Sequence, residues 1–156
     1  MRELLPIEQR LAWLAGILDG EGYVSATISK LRAGKRRTKI GRPKAGVPLE
    51  WKDVYERSLR FQVRVGNTDA AMIREIASIA DTIGVKYFVF SFCPKQRGDG
   101  RYKELFGIHF HCKNRTNRLL TAVLPWLVTK RPQAELLLEM IKRREEIPYR
   151  QGSLGD

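Results

Sequence analysis

The residues best placed to do chemistry are two carboxylates, Asp19 and Glu21, in the sequence LAGILDGEGY. An apolar segment that reads as a helix ends at these acids, and each acid is followed by a glycine, Gly20 or Gly22. Acids at a helix C-terminus are mildly unfavourable, because the helix dipole already places negative charge there. A hard divalent ion such as Mg²⁺ takes carboxylate and backbone carbonyl ligands, and the glycines leave the backbone uncovered. The residues alone leave open whether this turn is a metal site or a solvated helix end.

The rest of the chain is strongly basic, and its charge is concentrated. The 156 residues include 29 Lys and Arg against 17 Asp and Glu, a net charge of +12. No acidic residue lies between Val24 and Leu49. The basic side chains of that segment are Lys30, Arg32, Lys35, Arg36, Arg37, Lys39, Arg42 and Lys44. Such a segment indicates a polyanionic partner, nucleic acid first and an anionic membrane second.

The hydrophobic runs and the cysteine count indicate where in the cell the protein is located. No apolar run is long enough to span a bilayer, and the N-terminal MRELLPIEQR lacks the apolar stretch of a signal peptide. Cys93 and Cys112 are too few for a disulfide framework. We therefore expect no membrane partner and an intracellular location, cytoplasmic in a prokaryote or inside an organelle.

Hydrophobic periodicity predicts the order helix, two strands, helix, two strands, two helices. The predicted elements span residues 7–20, 23–31, 58–65, 67–84, 85–93, 104–112, 115–127 and 132–146. This order is typical of an α+β fold with a four-stranded, mostly antiparallel sheet and helices on one face. We expect residues 1–148 to form a single domain and residues 149–156 to be a disordered tail.

Alternation along the first two strands predicts an apolar sheet face under the helices and a polar, basic face without helices. The residues predicted for the polar face are Ser25, Thr27, Ser29, Arg60, Gln62 and Arg64. In the third strand, Phe88, Phe90 and Phe92 alternate and are predicted to lie in the core. Trp13 and Trp126 are also predicted to pack in the interior.

A zinc site is the alternative suggested by His109, His111 and Cys112, with Cys93 nearby. In the fourth strand, alternation places both histidines on the polar face and Cys112 on the core face. The candidate ligands therefore diverge, and we interpret the histidines as polar positions of the open sheet.

The segment Leu14–Gly22, LAGILDGEG, resembles the signature of the LAGLIDADG homing endonucleases in their single-motif, homodimeric form. Glu21 stands where that family most often has aspartate. The αββαββα order over about residues 7–144 resembles the family fold, and residues 119–137 resemble a late family segment. The resemblance implies that two signature helices pack along a dimer axis through small residues. The implied interface residues are Leu11, Ala12, Ala15, Gly16, Asp19 and Gly20.

The resemblance also implies the catalytic groups. Glu21 and the Gly20 carbonyl are the implied metal ligands, for Mg²⁺ or another divalent ion such as Mn²⁺, with Ca²⁺ expected to bind without supporting cleavage. Lys113, with Asn114 as the alternative position, and Gln62 and Arg64 are the implied catalytic residues around the scissile phosphate.

The exposed sheet face and its turns are expected to bind DNA, because a two-stranded ribbon fits the major groove. Beyond the polar face and the basic segment already named, the expected DNA-binding residues are Arg97, Arg101, Lys103, His109, His111, Lys130 and Arg131.

The implied function is a metal-dependent, site-specific double-strand DNA endonuclease. A chain with one signature must form a homodimer to cut both strands, so the target is expected to be long and pseudo-palindromic, with short 3′ overhangs after cleavage. The alternative is a non-catalytic binder on the same fold, either an intron RNA maturase or a DNA-binding regulator. Intron RNA therefore stays open as a further partner.

Overall fold

The computed structural model describes residues 5–37, 51–93 and 103–146, with the backbone alone for residues 29–37, 51–58 and 145–146. The elements follow the predicted order, and the α+β class is confirmed. They are α1 (Ile7–Glu21), β1 (Gly22–Arg37), β2 (Trp51–Asn67), α2 (Ala70–Thr82), β3 (Phe88–Phe92), β4 (Leu105–His111), α3 (Lys113–Val123), a 3₁₀ turn (Leu124–Trp126) and α4 (Arg131–Glu146). The predictions for Lys39, Arg42, Lys44, Arg97, Arg101 and the tail 149–156 lie outside the described residues.

The strands form one sheet in the order β1-β2-β4-β3, so β3 is an edge strand. β4 pairs antiparallel with β2, where Val63 lies opposite Phe110, and antiparallel with β3, where Phe88 lies opposite His109. Contact density divides the chain into two units. One contains the residues up to Ala26 and from Phe61 onward, and the other contains residues 27–60, whose described parts are residues 27–37 of β1 and 51–60 of β2.

The core lies between the helices and one face of the sheet. Its fully buried side chains include Leu14, Leu18, Phe61, Val63, Val65, Ile76, Ile79, Ile108, Phe110, Leu119, Leu120 and Ile141. The other face of the sheet is called the open face below. Pro125 lies in the 3₁₀ turn that directly follows α3, so α3 ends before the predicted end of its span at residue 127. None of the helices in the described part of the chain has the length and hydrophobicity of a membrane span.

A buried arginine, which the sequence pattern did not single out, fixes α1 against α2. Arg10 is 6% exposed and forms an ion pair with Glu75 at 3.0 Å. Its guanidinium also donates to the hydroxyls of Ser78, at 2.8 Å, and Thr82, at 3.4 Å. Buried charges are stable only when they are paired and hydrogen-bonded, and Arg10 meets both conditions. These contacts of Arg10 fix the packing of α1 on α2, and with it the position of the acidic turn at the end of α1.

Three predictions of burial are wrong. Phe88 and Phe92 are 58% and 57% exposed, because pairing with β4 places the β3 phenylalanines on the same face as His109. Cys112 is exposed and has a left-handed φ of 78°, so it leaves the alternation of β4 before it can reach the core. Trp13 is 40% exposed on α1.

Candidate active site and nucleic-acid face

The acidic turn joins α1 directly to β1 with no intervening loop. Glu21 is the last residue of α1, and the N–H of Gly22 donates to the carbonyls of Ile17 and Leu18. A Cβ on Gly22 would lie 2.6 Å from the carbonyl oxygen of Leu18 and 2.7 Å from its Cα. Only glycine therefore allows the strand to leave the helix so abruptly, and this exit places the exposed Glu21 beside the first strand.

Asp19 and Lys130 form a reciprocal clamp behind this turn. The Asp19 carboxylate accepts hydrogen bonds from the backbone N–H groups of Val128, at 2.8 Å, and Lys130, at 2.7 Å. In return, the Lys130 ammonium donates to the carbonyls of Leu18, at 2.6 Å, and Asp19, at 3.0 Å. A cation at a helix C-terminus is favourable because of the helix dipole. The clamp therefore holds the end of α1 to the segment before α4.

This clamp gives two of the expected site residues partners within the protomer, and their roles at a dimer interface and on DNA stay predictions. Asp19 was expected at the dimer interface, but its carboxylate is bonded within the protomer. Lys130 was expected to contact DNA, but its ammonium is used on the carbonyls of α1. Arg131, also expected to contact DNA, forms an exposed ion pair with Glu135 at 3.0 Å.

The clamp makes a prediction about stability and pH. Burial alone would raise the pKa of Asp19, but the backbone donors of Lys130, Val128 and Thr129 outweigh it and lower the pKa. A lowered pKa means that the folded state resists protonation, so this stabilisation is present above the ordinary value of 3.8 and is lost as pH falls below it. We expect Asp19→Ala to cost about 1–2 kcal/mol at pH 7, since solvent reaches part of the carboxylate. Thermal unfolding of both proteins from pH 7 to pH 3 should show their difference shrinking at the acid end. A constant difference would contradict the assignment.

Glu21 has a partner that sequence reasoning missed. The side-chain amide of Asn67, at the end of β2, donates to Glu21 Oε2. The Asn67 Oδ1 atom accepts from the N–H of Asp69 at 2.8 Å, and the Asp69 carboxylate caps α2 by accepting from the N–H of Ala71 at 2.8 Å. This bond to Glu21 becomes visible only when β2 and the end of α1 are placed side by side.

The open face brings several predicted polar residues together. Gln62 donates to the hydroxyl of Ser25 at 3.1 Å and accepts from His109 Nε2 at 3.0 Å. The Arg64 guanidinium lies over the ring of Tyr23, 5.3 Å from its centroid. Burial first, then the electrostatic influence of His111 and Arg64, lowers the pKa of His109. These contacts fix the orientation of Gln62, which is the residue type that pairs with adenine in the major groove.

The remaining predicted residues are less closely grouped. Lys113 is the first residue of α3 and is half-buried, and His111 and Lys103 are exposed. In the other unit, Thr27 and Arg60 are exposed on β1 and β2. The backbone of β1 includes Ser29, Lys30, Arg32, Lys35, Arg36 and Arg37, whose side chains are not described. The roles of these residues stay predictions.

One face of α1 carries two exposed glycines, Gly16 and Gly20. Among the described residues, none lies within 4 Å of a Cβ added at either position. Ala12 is half-buried next to them. Leu11 and Ala15, also expected at the dimer interface, are 7% and 0% exposed and belong to the protomer's own core. The exposed part of this helix face is therefore centred on the two glycines.

Comparison with known proteins identifies the fold. No protein-family model and no curated protein matches the sequence. A structure of the homing endonuclease I-CvuI in complex with the I-CreI target and 2 mM Mg, in which the DNA is not cleaved, superposes with a TM-score of 0.55 at 23% identity. The match covers 87% of this chain and 68% of that one. The chain has the homing-endonuclease fold.

A second structure supports the same assignment. It shows I-CvuI in complex with its own target and 2 mM Ca, with a TM-score of 0.52, 22% identity, and coverage of 88% of this chain and 68% of that one. At this identity the match concerns the homing-endonuclease fold alone. The fold that the sequence signature implies is therefore confirmed.

Proposed function

We propose that this protein is a homodimeric, divalent-metal-dependent DNA endonuclease that cuts both strands of a long, pseudo-palindromic site and leaves short 3′ overhangs. The observation that carries the proposal is the position of Glu21. This exposed carboxylate lies at the end of α1, the helix that exposes Gly16 and Gly20 on one face, and it accepts a hydrogen bond from Asn67. In the solved structures with this fold, I-CvuI is bound to DNA in the presence of Mg or Ca.

The residues at the turn fit a hard divalent ion. The Glu21 carboxylate and the Gly20 carbonyl supply the oxygen ligands that Mg²⁺ and Mn²⁺ prefer, and Ca²⁺ is expected to bind without supporting cleavage. When bound, such an ion lowers the pKa of a water and stabilises charge on a phosphate oxygen. Asn67 holds the carboxylate in place, and the Asp19 clamp holds the helix end that carries it.

Two copies are needed because one chain carries one such turn. A twofold dimer through the Gly16 and Gly20 face places two Glu21 carboxylates near its axis, one for each DNA strand. The target then mirrors the symmetry of the dimer. Gln62, Arg64 and Lys113 are proposed to orient water and to stabilise charge on the phosphate. Ser25, Gln62, Arg64 and His109 on the open face are proposed to contact bases.

Cleavage of a plasmid library that carries random inserts tests the proposed function. In Mg²⁺ we expect linear product from a small subset of inserts, and in EDTA we expect none. Binding should weaken steeply with salt, with a log–log slope of about −0.9 per phosphate neutralised. Specific binding with no cleavage in Mg²⁺ or Mn²⁺ would favour a DNA-binding regulator, and preference for intron RNA would favour a maturase.

A further inference from the structure

The open face continues past its polar residues into an apolar strip. β3 lies at the edge of the sheet, and its pairing puts Phe88 opposite His109, Phe90 opposite Gly107 and Phe92 opposite Leu105. Directly paired residues point to the same face of a sheet. The three phenylalanines, called the phenylalanine strip below, therefore lie on the same face as Gln62, Arg64 and His109.

The strip has a fixed middle and two exposed ends. A Cβ on Gly107 would lie 2.2 Å from a ring atom of Phe90, so the Phe90 ring rests directly on the backbone of β4. Phe90 is half-buried in consequence, whereas Phe88 is 58% exposed and Phe92 is 57% exposed. Exposed phenylalanines next to one another on a basic protein are unusual for a surface that contacts only water.

We propose that Phe88 and Phe92 select thymine in the DNA target by contacting its C5-methyl group in the major groove; this inference rests on the proposed function. Thymine is the base that presents a methyl group there, and apolar side chains recognise it. The neighbouring Gln62 and Arg64 carry the groups that pair with adenine and guanine edges, so the strip is continuous with a surface suited to bases.

The spacing of the strip fits a duplex. Residues four apart on a strand are separated by about 13 Å, at roughly 3.3 Å per residue. Successive base pairs rise by about 3.4 Å and also rotate about the helix axis, so Phe88 and Phe92 match methyl groups about three to four base pairs apart. The phenylalanine strip therefore contacts two thymine positions in each half-site. These positions lie at the end of the DNA footprint that faces β3.

Deoxyuridine provides a direct test because it differs from thymine by the methyl group alone. The sites recovered by selection should carry thymine at two positions about three to four base pairs apart in each half. Binding is then measured in Ca²⁺ with these thymines or with deoxyuridine. We expect the wild type to lose about 3- to 5-fold in affinity for each methyl removed. Phe88→Ser and Phe92→Ser should each lose discrimination at one position and bind the deoxyuridine site as the wild type does.

Leu136→Ser is the matched control, because Leu136 is a 60% exposed apolar residue on α4. It should discriminate as the wild type does. Selected sites without the thymine pair, or equal affinity for thymine and deoxyuridine, would overturn the inference and leave the endonuclease intact. It would also be overturned if the serine variants changed the oligomeric state of the free protein or its affinity for single strands instead. Failure to enrich any duplex site would remove the proposed function itself.

Discussion

Replacing Glu21 with glutamine is expected to abolish DNA cleavage while leaving DNA binding nearly unchanged. The substitution keeps the size of the side chain and removes the negative charge that holds a divalent ion. Metal assistance contributes several kcal/mol to such reactions, so the cleavage rate should fall by about 10³-fold or more. Glu21 is exposed at the end of α1, so the thermal stability of the protein should change little. Single-turnover cleavage in Mg²⁺ and binding in Ca²⁺ measure the two effects separately.

Two further variants sharpen this test. Glu21→Asp retains a carboxylate, with a shorter reach toward Asn67, and should keep part of the cleavage activity. Glu135→Gln removes an exposed carboxylate that pairs with Arg131 on α4, and should cut as the wild type does. If Glu21→Gln cleaved at the wild-type rate, Glu21 would not be a metal ligand and the proposed site would be wrong.

The sequence was most informative where local chemistry decides the structure. Hydrophobic periodicity predicted a helix over residues 67–84; α2 lies within that span, buries Ile73, Ile76 and Ile79, and the last residue of the span, Gly84, has a left-handed φ of 67°. Alternation in β2 and β4 correctly placed Gln62, Arg64 and His109 on one face, because the side-chain period of a strand leaves no freedom once one face is buried.

Prediction failed where the outcome depends on which elements lie next to each other. The β3 phenylalanines alternate whichever way the strand is turned, and only the pairing with β4 shows that they face away from the core. The link between Asn67 and Glu21 joins residues 46 positions apart, and the Lys130 clamp joins residues more than a hundred positions apart. Hydrophobic periodicity carries no information about such contacts.

Replacing Gly16 with leucine is expected to break the proposed dimer without harming the fold of the protomer. In the part of the chain that the structure describes, nothing lies within 4 Å of a Cβ at this position, so the protomer has room for the side chain. Leucine also favours a helix over glycine by about 0.8–1 kcal/mol, so protomer stability should rise slightly. At a close helix contact, each inserted side chain costs about 1–3 kcal/mol, and twofold symmetry doubles that cost. The dimer Kd should therefore rise by roughly 30-fold to 10⁴-fold.

Sedimentation of the free and DNA-bound protein measures this loss, and plasmid cleavage should shift from linear product toward nicked circles or none. Gln133→Leu, which adds a leucine at an exposed position of α4, should remain dimeric and active. The neighbouring Ala15→Leu should instead destabilise the fold of the protomer. Ala15 is fully buried, and the added volume strains the core by about 1–3 kcal/mol. A Gly16→Leu protein that stayed dimeric and linearised plasmid would show that the two protomers meet elsewhere. Adjacent residues on one helix thus separate the requirement for folding from the requirement for assembly.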